Sequence, residues 1–283
     1  MNKILYYLVF LSIVMFSSCS SGDRGAQECL SMARKALSEN DFSAAKTHLD
    51  SLQTLYPKAF EQRKAALALL DTVRRAENDY IIYMCDSLIT YYKPKIDSMK
   101  SAFTYVINKE YQEQGAFVPK EGWNAGQLVS STLRSGVTEA GLLYLESVYV
   151  GSNQMHNRVK VSVKDVEAVE SLPIIGDGLN YRFTSQGKQY EIMKVLPDND
   201  NGISNFIVEN KDKAITVTLD GMKKYSYTLP NNMKKAIVQS VNLSKAISLV
   251  DSLNNEKTKS AFRNYKLDEK NEKQVADGST SSK

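Results

Sequence analysis

Few residues of this chain are of a type and spacing that does chemistry, and Cys19 has the clearest context. Its thiol follows Ser17 and Ser18, which close a largely apolar run from Ile4 to Phe16 begun by Lys3. A positive start, an apolar stretch and small residues before a cut are the anatomy of an export signal. The histidines offer less. His48 and His156 are the only two, and neither lies in an HExxH or paired-cysteine spacing, so no metal site is expected. His156 precedes a strand and becomes a general base only if a nucleophile such as Ser130 or Ser131 meets it in space. No GxSxG elbow or SxxK motif accompanies those serines. Glycines lack the spacings that cradle a nucleotide, and no cofactor is expected. Asp198-Asn199-Asp200-Asn201-Gly202 and Gly176-Asp177-Gly178 are oxygen-rich, but without the full calcium loop and its distal glutamate they read as turns.

Residues 4–16 rise only about 20 Å as a helix, short of the roughly 30 Å hydrocarbon core of a bilayer. Residues 1–18 therefore read as a signal peptide and not as a spanning helix. The stretch resembles the lipobox of bacterial lipoproteins, with Phe16 in place of the usual leucine. The resemblance implies that Cys19 becomes the acylated first residue of the mature protein, anchored in the outer membrane and facing the periplasm or the cell surface. Several acyl chains at about 0.8 kcal/mol per buried CH2 would hold it almost permanently.

Five triplets read Asp, then Ser or Thr, then an apolar residue: Asp50-Ser51-Leu52, Asp71-Thr72-Val73, Asp86-Ser87-Leu88, Asp97-Ser98-Met99 and Asp251-Ser252-Leu253. Composition alone would give roughly one, although short motifs carry a high false-positive rate. They resemble the acceptor sequences of an O-glycosylation system acting on exported proteins in one group of Gram-negative bacteria. That resemblance makes Ser51, Thr72, Ser87, Ser98 and Ser252 candidate acceptors. Ordinary amphipathic patterning on helices accounts for the same triplets.

The elements that must position these residues fall in a clear order. Residues 19–25 form a short polar tether, and residues 26–114 read as helical. Cys29 to Leu37 and Phe42 to Leu55 are two amphipathic helices, separated where Asn40 can end one and Asp41 can cap the next. Phe42, Ala45, Leu49, Leu52 and Pro57 give the second half a resemblance to a tetratricopeptide repeat, covering Gln27 to Phe60. A single unit of that kind cannot bury its apolar face alone, which implies a cap or a diverged array. A long helix follows, with Leu70, Val73, Tyr80, Met84, Leu88 and Tyr91 as an apolar seam, a break or kink at Pro94, and continuation through Phe103 and Val106. Such a seam also suits a coiled-coil oligomer.

Residues 115–229 change to period-two patterning, with about seven strands and turn residues between them. Asp220-Gly221 has the form of a two-residue hairpin turn. Phe206 and Val208 read as one of the strands. Short connections point to an antiparallel sandwich or small barrel, in which Trp123, the only tryptophan, is the candidate ligand contact. Residues 230–265 form a last helix, and residues 266–283 read as a disordered tail. The fold class expected is therefore α+β. The 36 basic and 32 acidic residues nearly balance, at a net +4, which excludes the strongly basic surface of a nucleic-acid binder. Cys29 and Cys85 could pair after export, but nothing in the sequence fixes their separation.

The leading functional expectation is a lipid-anchored envelope scaffold that holds a protein partner through its helices. A lipoprotein binding a small molecule or glycan through the β domain comes second. A hydrolase using serine and carboxylates comes last.

Overall fold

The computed structural model describes residues 20–110, 113–121, 128–152, 154–164, 167–175 and 177–280. Cys19, Trp123 and the signal segment lie outside them. The chain forms two compact units, one reaching to Ser87 and taking in the chain from Asn254, the other Leu88–Leu253. The boundaries expected near 114 and 230 are therefore displaced into two long helices, each of which supplies residues to both units.

In the first unit, α1 (Ser20–Ser38) and α2 (Phe42–Leu55) form the expected hairpin, and α3 (Phe60–Lys100) follows. Residues 20–25 are thus helix and not a flexible tether. The turn forms as its sequence dictates. Asn40 takes a left-handed φ of 59°, a conformation Asn tolerates. The Asp41 carboxylate caps α2 by accepting from the Ala44 N–H at 2.9 Å. Ala26, Ala33 and Ala45 are completely buried beside Leu30, Leu49, Leu52 and Val73. Small side chains at these positions let the helices approach closely.

Helix α3 runs through Pro94 without interruption. It stops at Lys100, and Phe103–Val106, expected to continue it, is strand β1 paired with β2 (Ala116–Pro119). Phe103 and Val106 fit a helix face by spacing, but antiparallel pairing buries Phe103 against Ile96 and Val137.

Among the described residues the second unit holds ten strands. The others are β3 (Thr132–Thr138), β4 (Leu143–Gly151), β5 (Arg158–Ser162), β6 (Val169–Glu170), β7 (Asn180–Ser185), β8 (Lys188–Val195), β9 (Thr216–Asp220) and β10 (Tyr225–Thr228). They make a six-stranded sheet ordered β1-β2-β3-β4-β8-β7 and a four-stranded sheet ordered β10-β9-β5-β6. Every pairing is antiparallel. Two separate sheets share one core, so the β region is a sandwich and not a closed barrel. Leu133, Leu145 and Met193 of the larger sheet meet Val159, Val217 and Leu219 of the smaller. The α+β reading holds.

Pro197–Asp200 is a single helical turn, α4, and Ile203–Glu209 is helix α5. The strand expected at Phe206 and Val208 is therefore helical. Ile203, Phe206 and Ile207 are spaced for one helix face and all three are buried. The N-cap of α5 is Gly202, and the Asp200 carboxylate accepts from the Ser204 backbone N–H in the first turn at 3.1 Å.

The last helix, α6, runs from Asn231 to Thr280. Residues 266–280, expected as a disordered tail, belong to it. Their partners lie on α3 inside the first unit: Lys270 pairs with Asp71 at 2.6 Å, and Arg75 pairs with Asp268.

Candidate functional site

Strand register brings an acid, a histidine and a hydroxyl into contact inside the second unit. Tyr149 stands opposite Glu191 and Ser147 opposite Met193 on the paired strands β4 and β8. Ser147 and Glu191 therefore point inward on the same face, one diagonal step apart. After β4 the chain turns back, with Met155 at a left-handed φ of 50°, and places His156 between them. His156 Nδ1 lies 3.0 Å from Glu191 Oε2, and its Nε2 lies 3.0 Å from Ser147 Oγ.

Burial alone pushes the Glu191 carboxyl up, but hydrogen bonds outweigh it. His156 and the backbone N–H groups of Met155 and Gln154 bring it down to about 2. The Gln154 and Met155 N–H groups lie 2.9 and 2.7 Å from Oε1. With Nδ1–H donating to the Glu191 carboxylate, Nε2 is left to accept from the Ser147 hydroxyl. This is the connectivity of a hydrolytic triad. However, Ser147, His156 and Glu191 are each 0% exposed, and a nucleophile must reach its substrate. In this conformation the set acts as a buried clasp.

The clasp joins the two sheets. Gln154 Nε2 donates to the carbonyl of Leu219 at 3.3 Å, its carbonyl accepts from the Met222 N–H at 2.7 Å, and the Asn157 N–H donates to the Asp220 carbonyl at 3.2 Å. The expected two-residue turn at Asp220-Gly221 is absent, because Leu219 pairs with Tyr225 and leaves residues 220–224 as the connection. Gly221 has another task. A Cβ there would press into the Gln154 carbonyl and lie 2.8 Å from the His156 nitrogen.

Sequence reasoning tied His156 to Ser130 or Ser131, and it missed Ser147 and Glu191. Ser131 instead accepts from the Val150 N–H at 3.0 Å. The available signal was polar residues at inward strand positions: Ser147 between Leu145 and Tyr149, and Glu191 ahead of Met193 and Val195.

The helical unit offers a different kind of site. On α3, Tyr80 packs on Phe42 of α2 with ring centroids 5.8 Å apart, and Glu77 pairs with Lys46 at 2.8 Å. Beyond Tyr80 the same side of the helix continues uncovered, with Tyr83 68% and Met84 38% exposed. The antiparallel α6 segment joins α3 through polar groups. Asn78 Nδ2 donates to Asn264 Oδ1 at 2.9 Å, Asn264 Nδ2 donates to Asp79 at 2.7 Å, and Lys257 pairs with Asp86 at 2.6 Å. Phe262 and Tyr265 remain on the exposed side of α6.

In the second unit, a cleft of about 160 Å³ is lined by residues including Tyr144, Pro197, Ser204 and Lys245. It is smaller than the roughly 300 Å³ at which pockets for small-molecule ligands begin, and a wider cleft of about 540 Å³ beside Lys211, Asp212, Asn231 and Lys234 is lined mainly by polar side chains. The inner face of the large sheet is covered by the smaller sheet and by α6, where Ser135 Oγ donates to Ser240 Oγ at 2.9 Å. On the other face Phe183 stacks on Tyr190 at 4.8 Å, and Tyr181 stays exposed.

The five candidate acceptors are dispersed. Ser51 lies on α2, Thr72, Ser87 and Ser98 on α3, and Ser252 on α6. Ser51 and Thr72 donate to the carbonyls of Thr47 and Ala68, one helical turn back. Thr72, Ser87, Ser98 and Ser252 are exposed. Cys29 and Cys85 are free thiols, and His48 lies half-buried on α2. Among the described residues no group of three His, Cys, Asp or Glu side chains is placed to hold a metal, and no helix is long and apolar enough to cross a membrane. No protein-family model and no curated protein matches the chain.

Proposed function

We propose that the protein is a lipid-anchored scaffold of a bacterial outer membrane, acylated at Cys19, which holds an envelope protein through its tetratricopeptide-like helical unit. The observation that supports it best is the uncovered continuation of the α3 face at Tyr83 and Met84. Aromatic and methionine side chains at such positions are typical anchors of protein interfaces. The signal anatomy before Cys19 supplies the anchor. O-glycosylation of one or more of Ser51, Thr72, Ser87, Ser98 and Ser252 belongs to the same reading.

The test is crosslinking in intact cells followed by purification of the lipoprotein. One envelope protein should co-purify in proportion to it, and Tyr83→Asp with Met84→Asp should reduce that recovery at least about tenfold, as expected for losing interface anchors. Recovery unchanged by both substitutions would contradict the reading.

A second reading, binding of a small molecule or glycan through the β region, draws on Tyr181, Phe183 and Tyr190 at the sheet face that α6 leaves uncovered. It predicts a ligand whose binding is lost in Tyr181→Ala and Tyr190→Ala while partner recovery is unchanged.

A further inference from the structure

We infer that the α2–α3 turn is a membrane-contacting loop, with Leu55 and Phe60 entering the lipid surface beside the acylated Cys19. The inference rests on the anchor proposed above and adds to it a second point of contact made by the folded chain.

Connectivity sets the location. Cys19 is bonded directly to Ser20, the first residue of α1. Gly25 lies against the ring of Tyr56, close enough that a Cβ on Gly25 would come 2.8 Å from Tyr56 Cε1. Gly25 is six positions on from Cys19, a helical rise of about 9 Å at most. Acyl chains on Cys19 would therefore hold the α2–α3 turn within roughly one headgroup layer of the hydrocarbon.

Residue types at the turn suit that place. Leu55 is 66% exposed and Phe60 is 72% exposed, on either side of exposed Pro57 and Lys58. Along α3, Lys64 and Leu67 follow Phe60 at helical spacing and are also exposed. Apolar side chains flanked by lysine make a small interfacial surface, with the apolar groups in the acyl boundary and the ammonium groups at the lipid phosphates. Glu61 is also exposed at this end, and its charge would stay at the headgroup level. The turn itself is held rigid, since Arg63 donates to the Pro57 carbonyl at 2.9 Å and to Gln53 Oε1 at 2.8 Å. A rigid turn with Leu55 and Phe60 already outward enters the interface with little further ordering.

The full-length lipidated protein carrying Phe60→Trp is reconstituted into phosphatidylcholine–phosphatidylglycerol vesicles, with or without brominated acyl chains. The emission added over the parent protein is then measured. Brominated chains should quench the tryptophan at position 60, and likewise at position 55 in Leu55→Trp, but not in Tyr83→Trp, whose site is 68% exposed about 35 Å farther along α3. Unquenched emission at both 55 and 60, in protein whose Cys19 is shown by mass to be acylated, would overturn the contact and leave the anchor intact. A chain without acyl groups on Cys19 would overturn the anchor, and the contact with it. A blue shift at 60 without quenching by brominated chains would mean that a protein surface occupies the turn, and it too would overturn the inference.

Discussion

The His156 ring and the Glu191 carboxylate meet at 3.0 Å, and the same carboxylate takes backbone N–H groups from Gln154 and Met155. One buried anion thus orders the loop that joins the two sheets. Glu191→Ala would leave those N–H groups and the imidazole without their acceptor. Breaking a buried pair by removing one partner costs about 3–5 kcal/mol. Urea unfolding of the variant should show a loss of that size, and a loss below about 1 kcal/mol would contradict the clasp.

The same group sets an acid limit. The Glu191 pKa falls from 4.5 unfolded to about 2 folded. Its contribution is therefore fully present above pH 4.5 and is lost as pH drops toward 2. A shift of that size corresponds to about 3 kcal/mol. Unfolding free energies measured between pH 6 and pH 2 should fall less steeply in Glu191→Gln than in the parent.

Gly221 faces the clasp from the smaller sheet. Gly221→Ala places a methyl group against the Gln154 carbonyl and His156, and overpacking of this kind costs about 1–3 kcal/mol. Thermal unfolding should show a lowered Tm. An unchanged Tm would mean that the two loops do not pack as described.

Asn78 and Asn264 are predicted to couple. Asn78 is 5% exposed, and its Nδ2 donates to Asn264 Oδ1 at 2.9 Å. Asn264→Leu strands the buried Asn78 amide, which costs about 1–3 kcal/mol, whereas adding Asn78→Leu removes that stranded group and should restore most of the loss, leaving only the Asp79 contact of Asn264 unmade. A double-mutant cycle in urea reads the coupling directly. Additive losses would contradict an α3–α6 pairing through these residues.

What the sequence made legible was local. Asn40 and Asp41 announce the hairpin because caps act within four residues. What it hid was long-range. The α6 tail looks disordered because its stabilising partners are polar and distant: Lys270 with Asp71, and Asp268 with Arg75. Ser147, His156 and Glu191 have no sequence spacing that marks them, since only the β4–β8 register brings them together. Phe103 and Val106 fit a helix face by their spacing of three, and only the pairing of β1 with β2, which no local spacing announces, makes them strand.

The central claim is that the lipid-anchored helical unit holds an envelope protein on the α3 face at Tyr83 and Met84. Its most direct test is a photocrosslinking amino acid placed at position 83 in growing cells, with position 175 as the comparison. The scaffold reading predicts one discrete protein adduct from position 83, recovered in the membrane fraction, and none from position 175. No protein adduct from position 83, or adducts as diffuse as those from position 175, would contradict it.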